Sequence, residues 1–195
     1  MEFQDLIKTY FRPEQLVFTD ESHFNWLTLR RPSAWSIRGE RATRYEFFLR
    51  GTKYSILPAI CLDGILHLEV LENAITGDDF LHFVQGVLPR MNKWPLPNSV
   101  LVVDNASIHK VAGIRELVEE SGMRLLYLPP YSPDFNPIEL AFSTIKGWLR
   151  TNHDRVNQEF GSEDGVVYNI FWEAVYTVTV EHAKGWFKHC GYVLG

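Results

Sequence analysis

Short apolar runs that end in a polar residue recur along the chain. Residues 15–19 read QLVFT and are followed by Asp20, and residues 99–103 read SVLVV and are followed by Asp104. Short runs rich in apolar, β-branched and aromatic residues, bounded by polar residues, are typical of buried strands. The pattern therefore predicts two buried strands, each followed directly by a carboxylate.

A strand pair is predicted over residues 54–71. The runs YSILPAICL and ILHLEVL flank Asp63-Gly64, and Asp-Gly between two apolar runs is a strong signal for a β-hairpin. Residues 123–128 form one further strand candidate.

Helical periodicity alternates with these strands. Predicted helices cover about 78–91, about 111–121, Asn136 to about Arg150, and much of 164–188. The first helix has an apolar face formed by Phe80, Phe83, Val84, Val87 and Leu88. The last region has an apolar stripe formed by Phe171, Trp172, Val175 and Tyr176. Alternating strands and helices predict an α/β fold with a central mixed sheet flanked by helices.

A proline-rich segment precedes the third predicted helix. Residues 129–137 read PPYSPDFNP, and four prolines in nine residues predict a stiff loop without regular structure. Asn136 suits the N-cap of the following helix, and Pro137 suits its first position. This start places Glu139 on the first turn.

Length and composition predict a soluble globular protein of one domain, or two at most, and we assign residues 1–195 to a single domain. Of the 195 residues, 46% are hydrophobic and 14% aromatic, which is enough to build a folded core. No apolar stretch is long enough for a membrane helix, and no signal peptide is recognisable, so we expect an intracellular protein without a membrane partner. The two cysteines, Cys61 and Cys190, are interpreted as buried thiols.

Charge is distributed unevenly. The net charge is −5, but residues 30–53 carry seven basic and two acidic side chains. A basic segment on an otherwise acidic protein can face a polyanion locally, although a solvated hairpin with scattered arginines is the alternative.

Asp20, Asp104 and Glu139 stand where an α/β fold can bring them together. Adjacent strand ends and a nearby helix start commonly build a site, and three close carboxylates repel unless a cation neutralises them. Oxygen ligands without His or Cys favour Mg²⁺ or Mn²⁺, and the implied chemistry is phosphoryl transfer. Each acid also has a structural alternative: a strand end for Asp20, an Asx turn for Asp104 and a capping box for Glu139.

Three blocks carry a family resemblance. FTDESHF (18–24), LVVDNASIH (101–109) and LPPYSPDFNPIEL (128–140) resemble the DDE catalytic domain of Tc1/mariner transposases, including IS630-like relatives. The 34 residues between Asp104 and Glu139 match the DD34E spacing of that superfamily. The resemblance runs from about Leu16 to HAKGWFKHCGY (182–192), whose ending looks like that of fungal members.

The resemblance implies an RNase H-like fold and a metal-dependent DNA endonuclease and strand transferase. It implies Asp20, Asp104 and Glu139 as catalytic residues that hold two Mg²⁺ (or Mn²⁺) ions roughly 4 Å apart, without an organic cofactor. Asn105 and His109 would support the ligands or position the substrate, although a core histidine is an equal alternative for His109.

The partner implied by the resemblance is double-stranded DNA, both transposon ends and target. Trp35-Ser36-Ile37-Arg38-Gly39 is similar to a WxxRG stretch of these transposases, so phosphate contacts are assigned to the basic segment. The candidate DNA-binding residues are Trp35, Arg38, Arg41 and Arg44. For Arg30 and Arg31, ordinary surface charge is the alternative interpretation.

The chain departs from the family pattern at its N-terminus. The first catalytic strand begins within about 16 residues of Met1, so the N-terminal helix-turn-helix domains of the family are expected to be absent. This keeps open a domesticated or degenerate domain that binds DNA or a partner without cutting; an RNase H or resolvase fits the spacing poorly. A homodimer remains an open alternative, and the expected location is the nucleus of a eukaryotic source or otherwise the cytoplasm.

Overall fold

The computed structural model describes residues 3–24, 35–41, 53–159 and 166–193. The strands are β1 (Leu16–Thr19), β2 (Ser22–Phe24), β3 (Tyr54–Cys61), β4 (Gly64–Glu72), β5 (Val100–Val103) and β6 (Arg124–Tyr127). The helices are α1 (Phe3–Tyr10), α2 (Gly77–Val87), α3 (Ile114–Glu120), α4 (Ile138–Thr151), α5 (His153–Glu159), α6 (Val166–Tyr176) and α7 (Val180–His189). Among the described helices, none combines the length and apolar character that a membrane span requires.

The described strands form one mixed sheet. Strands β1, β5 and β6 run parallel, with β5 between the other two. Strand β3 runs antiparallel to β1 and β2, and its other neighbour is β4. Because β1 and β5 are adjacent and parallel, the residues that follow them emerge at the same edge of the sheet.

Strands β1 and β2 follow the same edge of β3, with a break at Asp20 and Glu21. Thr19 pairs with Ala59 before the break and Ser22 pairs with Ile56 after it, so the register is kept across the gap. Pro58 of β3 lies in this stretch and has no N–H to donate to a ladder. Its carbonyl instead accepts a hydrogen bond of 2.9 Å from Thr19 Oγ1.

Helices cover both faces of the sheet. Alternation along β1 directs Leu16 and Phe18 to one apolar cluster and Val17 to the other. The first cluster contains buried residues of α4, α6 and α7, and the second contains those of α2 and α3. The sheet is therefore the middle of three layers, which confirms the predicted α/β architecture.

Several predicted boundaries differ from the observed ones. Helix α2 ends at Val87 and gives way to a short 3₁₀ helix over Leu88–Arg90, although its predicted apolar face is buried. The predicted helix at 111–121 begins only at Ile114, after a 3₁₀ helix over Ser107–Lys110. Gly113, with a φ of 97°, separates the two because its left-handed backbone cannot continue a helix.

The C-terminal region contains two helices, α6 and α7. Thr179 starts α7, since its side chain accepts a hydrogen bond from His182 N. The predicted apolar stripe is only partly correct, because Phe171 and Val175 are buried whereas Trp172 and Tyr176 are exposed. Cys61 and Cys190 are buried thiols, as predicted.

Candidate active site

The carboxyl ends of β1 and β5 form one wall of a cavity. Thr19 and Val103 are the last paired residues of these strands, so Asp20 and Asp104 take the next position in each chain. A cavity of about 400 Å³ is lined by thirteen residues that include Asp20, Asp104 and Glu139. The three carboxylates predicted from the sequence therefore share one cavity.

The Asp20 carboxylate is held at both oxygens. Oδ1 accepts a hydrogen bond of 2.8 Å from Glu21 N, and Oδ2 accepts one of 3.0 Å from Asn136 Nδ2. Burial raises the pKa of Asp20, and the negative charges of Glu21 and Asp104 raise it further, to about 8. Burial and two neighbouring negative charges thus disfavour the ionised form of Asp20.

The Asp104 carboxylate is bound through one oxygen. Oδ1 accepts a hydrogen bond of 2.8 Å from Ala106 N, so the Asx turn weighed as an alternative is formed. The same oxygen lies 2.6 Å from His109 Nδ1. The close contact with His109 lowers the pKa of Asp104 below its usual value.

His109 is completely buried and faces a carboxylate at each ring nitrogen. Its Nε2 lies 3.1 Å from Glu21 Oε2, while Nδ1 faces Asp104. Burial alone lowers a histidine pKa, but the hydrogen bonds to Asp104 and Glu21 outweigh it and raise the pKa of His109 to about 9. His109 is therefore an imidazolium between two carboxylates, and its partners are not those of an isolated core histidine.

Glu21 is the site residue that sequence reasoning missed. One carboxylate oxygen of Glu21, one of Asp20 and one ring nitrogen of His109 all lie within 4.8 Å of one another. Burial would raise the pKa of Glu21, but the hydrogen bond and charge of His109 lower it overall. The available signal was its position next to Asp20, combined with His109 shortly after the end of the adjacent strand.

Glu139 lies on the first turn of α4 and is exposed. The capping-box alternative requires its side chain to accept from Asn136 N, but that N–H donates to Pro133 O at 2.8 Å. Helix α4 starts at Ile138 with Pro137 as its N-cap residue, one position later than predicted, and Asn136 Oδ1 accepts a hydrogen bond of 3.3 Å from Ile138 N. The Glu139 carboxylate is consequently free to face the cavity.

Asn105, Lys110 and Tyr131 also line the cavity. Within the described part of the chain, Asn105 makes no hydrogen bond to the three carboxylates, so its predicted supporting role stays a prediction. Tyr131 has a φ of 55° and a fully exposed side chain. It places an aromatic ring at the cavity rim, between the prolines of the loop.

The predicted DNA contacts are described only in part. Trp35, Arg38 and Arg41 lie in the segment 35–41, where every residue is exposed, and Gly39 turns the chain with a φ of 94°. Arg44, Arg30 and Arg31 lie outside the described residues. Exposed arginines beside an exposed Trp suit contact with a nucleic acid.

The donor set fits divalent cations. Asp20, Asp104 and Glu139 bring three carboxylates to one cavity, and Asn105 also lines it. Such hard donors suit Mg²⁺ or Mn²⁺. Burial and the negative charges of Glu21 and Asp104 raise the pKa of Asp20, and a bound cation would favour its ionised form.

A family model described as DDE superfamily endonuclease matches residues 15–159. A comparison with curated proteins gives no match. Among solved structures, the Mos1 transposase paired-end complex with left transposon end has a TM-score of 0.61 at 18% identity, over 96% of this chain and 57% of that chain. The mariner Mos1 paired-end complex with Mg has a TM-score of 0.60 at 16% identity, over 98% and 60% of the two chains.

The catalytic domain of Mos1 mariner transposase, solved by itself, has a TM-score of 0.53 at 13% identity over 98% of this chain and 90% of that chain. These likenesses establish the RNase H-like fold. The chain spans 57% of the Mos1 chain in the paired-end complex with left transposon end.

Proposed function

The chain belongs to the DDE superfamily endonucleases, and from this membership we propose that it is the catalytic domain of a Tc1/mariner-type transposase, which cuts DNA and joins DNA ends. The observation that carries the proposal is the meeting of Asp20, Asp104 and Glu139 in one cavity at the carboxyl ends of β1 and β5. The blocks around these residues and their 34-residue spacing support the same assignment.

Asp20, Asp104 and Glu139 would hold two divalent cations, Mg²⁺ or Mn²⁺. The structure of a Mos1 paired-end complex with Mg supports the choice of metal. Bound cations supply Lewis acidity to the attacking and leaving oxygens of an in-line displacement. The chain's own contribution is to fix the carboxylates, through Asn136 at Asp20 and through Ala106 and His109 at Asp104.

The proposed cleavage is hydrolysis of a phosphodiester. The oxygen of a water attacks phosphorus, the bond from phosphorus to the 3′ oxygen breaks, and the products are a 3′-hydroxyl and a 5′-phosphate. In strand transfer the freed 3′-hydroxyl oxygen attacks a phosphorus of target DNA, and the target's own 3′ oxygen leaves. No bond to a protein atom forms in either step.

Side chains around the cavity supply substrate contacts in this proposal. The exposed Lys110 offers a positive charge to a phosphate beside Asp104. Tyr131 offers a ring on which a base can stack, and base-aromatic stacking contributes about 1–3 kcal/mol. Trp35, Arg38 and Arg41 would extend the contact along the duplex.

Joining two DNA ends requires their coordination, so we propose that the working form contains two copies of the chain. Its proposed location is the nucleus of a eukaryotic source, or the cytoplasm otherwise.

The test is nicking of supercoiled plasmid by the purified chain with Mg²⁺ or Mn²⁺. Asp104→Asn and Glu139→Gln keep the side-chain shape but remove a charged ligand, and Glu120→Gln on the exposed end of α3 is the matched control. We expect metal-dependent nicking by the wild type and by Glu120→Gln, and a loss of at least about a hundredfold in both site variants.

Equal nicking by the wild type and Asp104→Asn would assign the activity to a contaminant. Metal binding without nicking, even on duplex DNA of any sequence, would favour the domesticated domain. Faster cleavage of an RNA-DNA hybrid than of duplex DNA would favour an RNase H.

A further inference from the structure

A chain of side-chain contacts centred on the buried His109 joins the ends of β1 and β5. It runs from the Glu21 carboxylate through the His109 ring to the Asp104 carboxylate, with heavy-atom distances of 3.1 Å and 2.6 Å. Glu21 follows β1, whereas Asp104 follows β5 and His109 lies on the 3₁₀ helix Ser107–Lys110. The two strand ends that carry Asp20 and Asp104 are thus linked by side chains as well as by the sheet.

Contacts restrain both the ring and the backbone of His109. Its side chain is completely buried, and its ring centroid lies 4.2 Å from that of Phe80 on α2. Its carbonyl oxygen accepts a hydrogen bond of 3.0 Å from Tyr127 Oη, and its N–H donates to Ala106 O at 3.2 Å. A ring fixed in this way can fix the carboxylates that it touches.

This contact decides which Asp104 oxygen serves the cavity. Oδ1 is engaged by His109 Nδ1 and Ala106 N, whereas no described residue forms a hydrogen bond with Oδ2. Without His109, the hydrogen bond from Ala106 N would be the one described contact left to restrain the Asp104 carboxylate. Holding one oxygen leaves the other in a defined place as a ligand.

We propose that Glu21 is a positioning residue, which orients His109 so that His109 in turn fixes Asp104 as a ligand. The inference rests on the proposed function, because it concerns the same cation site. Glu21 acts through His109 and contacts neither the substrate nor the reacting atoms in this proposal.

A merely electrostatic role predicts a different pattern. A positive charge beside Asp104 would oppose a cation in the cavity, so replacing His109 with the neutral Gln should strengthen cation binding if only charge matters. Loss of positioning should weaken it. The sign of the effect of His109→Gln therefore separates the two roles.

The experiment measures Mn²⁺ affinity of the full chain by calorimetry and by the spin-resonance signal of free Mn²⁺. The variants are Glu21→Gln, Glu21→Asp, His109→Gln and the Glu21→Gln/His109→Gln double substitution. Glu69→Gln is the matched control, because Glu69 contacts His67 at 3.3 Å and has the same side-chain exposure of 20% as Glu21. Urea unfolding checks that each variant is folded.

We expect each single variant at Glu21 or His109 to bind Mn²⁺ about tenfold more weakly, as is typical for residues that support metal ligands. The double variant should bind no more weakly than the worse single variant, because both changes break the same chain of contacts. Glu69→Gln should bind like the wild type. If His109→Gln does not fold, Glu21→Asp decides, since it keeps the charge but shortens the reach.

Unchanged affinity in Glu21→Asp, tighter binding by His109→Gln, or additive losses in the double variant would each overturn the inference and leave the proposed function intact. If the wild type binds Mn²⁺ but does not nick DNA, and the variants bind Mn²⁺ more weakly, the inference is supported and the proposed nuclease function is rejected. Failure of the wild type to bind Mn²⁺ would overturn both.

Discussion

At the scale of single residues, Asn136 joins two elements of the site. Its side chain is buried, donates to Asp20 Oδ2 at 3.0 Å and accepts from Ile138 N at 3.3 Å. One amide therefore bonds to the first residue of α4, which carries Glu139, and restrains the first carboxylate. The sequence predicted the start of α4 to within one residue, since the observed N-cap is Pro137 and not Asn136. The contact of Asn136 to Asp20 depends on the tertiary fold, which no local signal encodes.

Replacing Asn136 should affect stability and metal binding together. We expect Asn136→Ala to lower the free energy of unfolding by about 1–2 kcal/mol, because the hydrogen bonds to Ile138 N and to Asp20 are lost. Mn²⁺ affinity should fall several-fold, because Asp20 is released. Urea unfolding and calorimetry measure the two effects.

Asn152→Ala is the matched control at the other end of α4, where Asn152 Nδ2 donates to Trp148 O at 2.9 Å. It should reduce stability but leave Mn²⁺ affinity unchanged. Equal losses of affinity in the two variants would show that Asn136 acts only through the stability of α4.

The two thiols should react slowly in the folded protein. Burial raises the pKa of Cys190, and the charge of Asp134 raises it further, to about 11; burial also raises the pKa of Cys61. Because the thiolate is the reactive form, a thiol reagent at pH 8 should label neither residue quickly. Urea-unfolded protein should show two fast thiols, and rapid labelling of the native chain would contradict their burial.

At the scale of elements, patterns along the chain predicted most strands but not every boundary. The apolar runs before Asp20 and Asp104 indicated β1 and β5 because buried parallel strands are apolar on both faces. The resumption of the first strand as β2 was missed, because Ser22-His23-Phe24 is too short to show alternation. The short helices α1 and α5 were missed for a similar reason, since about two turns give little periodicity.

The packing of α2 against the His109 segment can be tested at Gly77. A Cβ at this position would lie 2.3 Å from Val111 Cγ2, and the β-branched Val111 side chain cannot move away easily. We expect Gly77→Ala to destabilise the protein by about 1–3 kcal/mol through overpacking. Urea unfolding measures the change.

Gly185 provides the opposite case within a helix. A Cβ there meets no described atom within 4 Å, and the residue is exposed in α7. Gly185→Ala should therefore stabilise the protein by about 0.5–1 kcal/mol, which is the difference in helix propensity. If Gly77→Ala also stabilised the protein, the close approach of α2 to Val111 would be wrong.

At the scale of the whole molecule, the chain must bring a polyanion to an acidic cavity. Its net charge is −5, so the average field opposes DNA, and local positive charge must compensate. The exposed Arg38 and Arg41 belong to the segment with the strongest excess of basic residues. The composition of this segment and its WxxRG stretch predicted a role in DNA binding. The position of the segment relative to the cavity depends on long-range contacts, which the sequence pattern does not show.

We expect the Arg38→Ala/Arg41→Ala double variant to weaken binding of duplex DNA of any sequence. For each phosphate contact that is lost, DNA binding releases about one counterion fewer. The slope of log K against log salt concentration should therefore become shallower by about 1 per arginine. Arg115→Ala/Arg155→Ala is the matched control, since these two exposed arginines pair with Glu119 and Glu173. Binding titrations from low to moderate salt, with Mn²⁺ calorimetry on the same samples, should show a changed slope only for the first pair and an unchanged metal affinity for both. An identical slope in the wild type and the Arg38/Arg41 variant would place the DNA contact elsewhere on the molecule. Other basic side chains would then be the ones that displace counterions from the DNA.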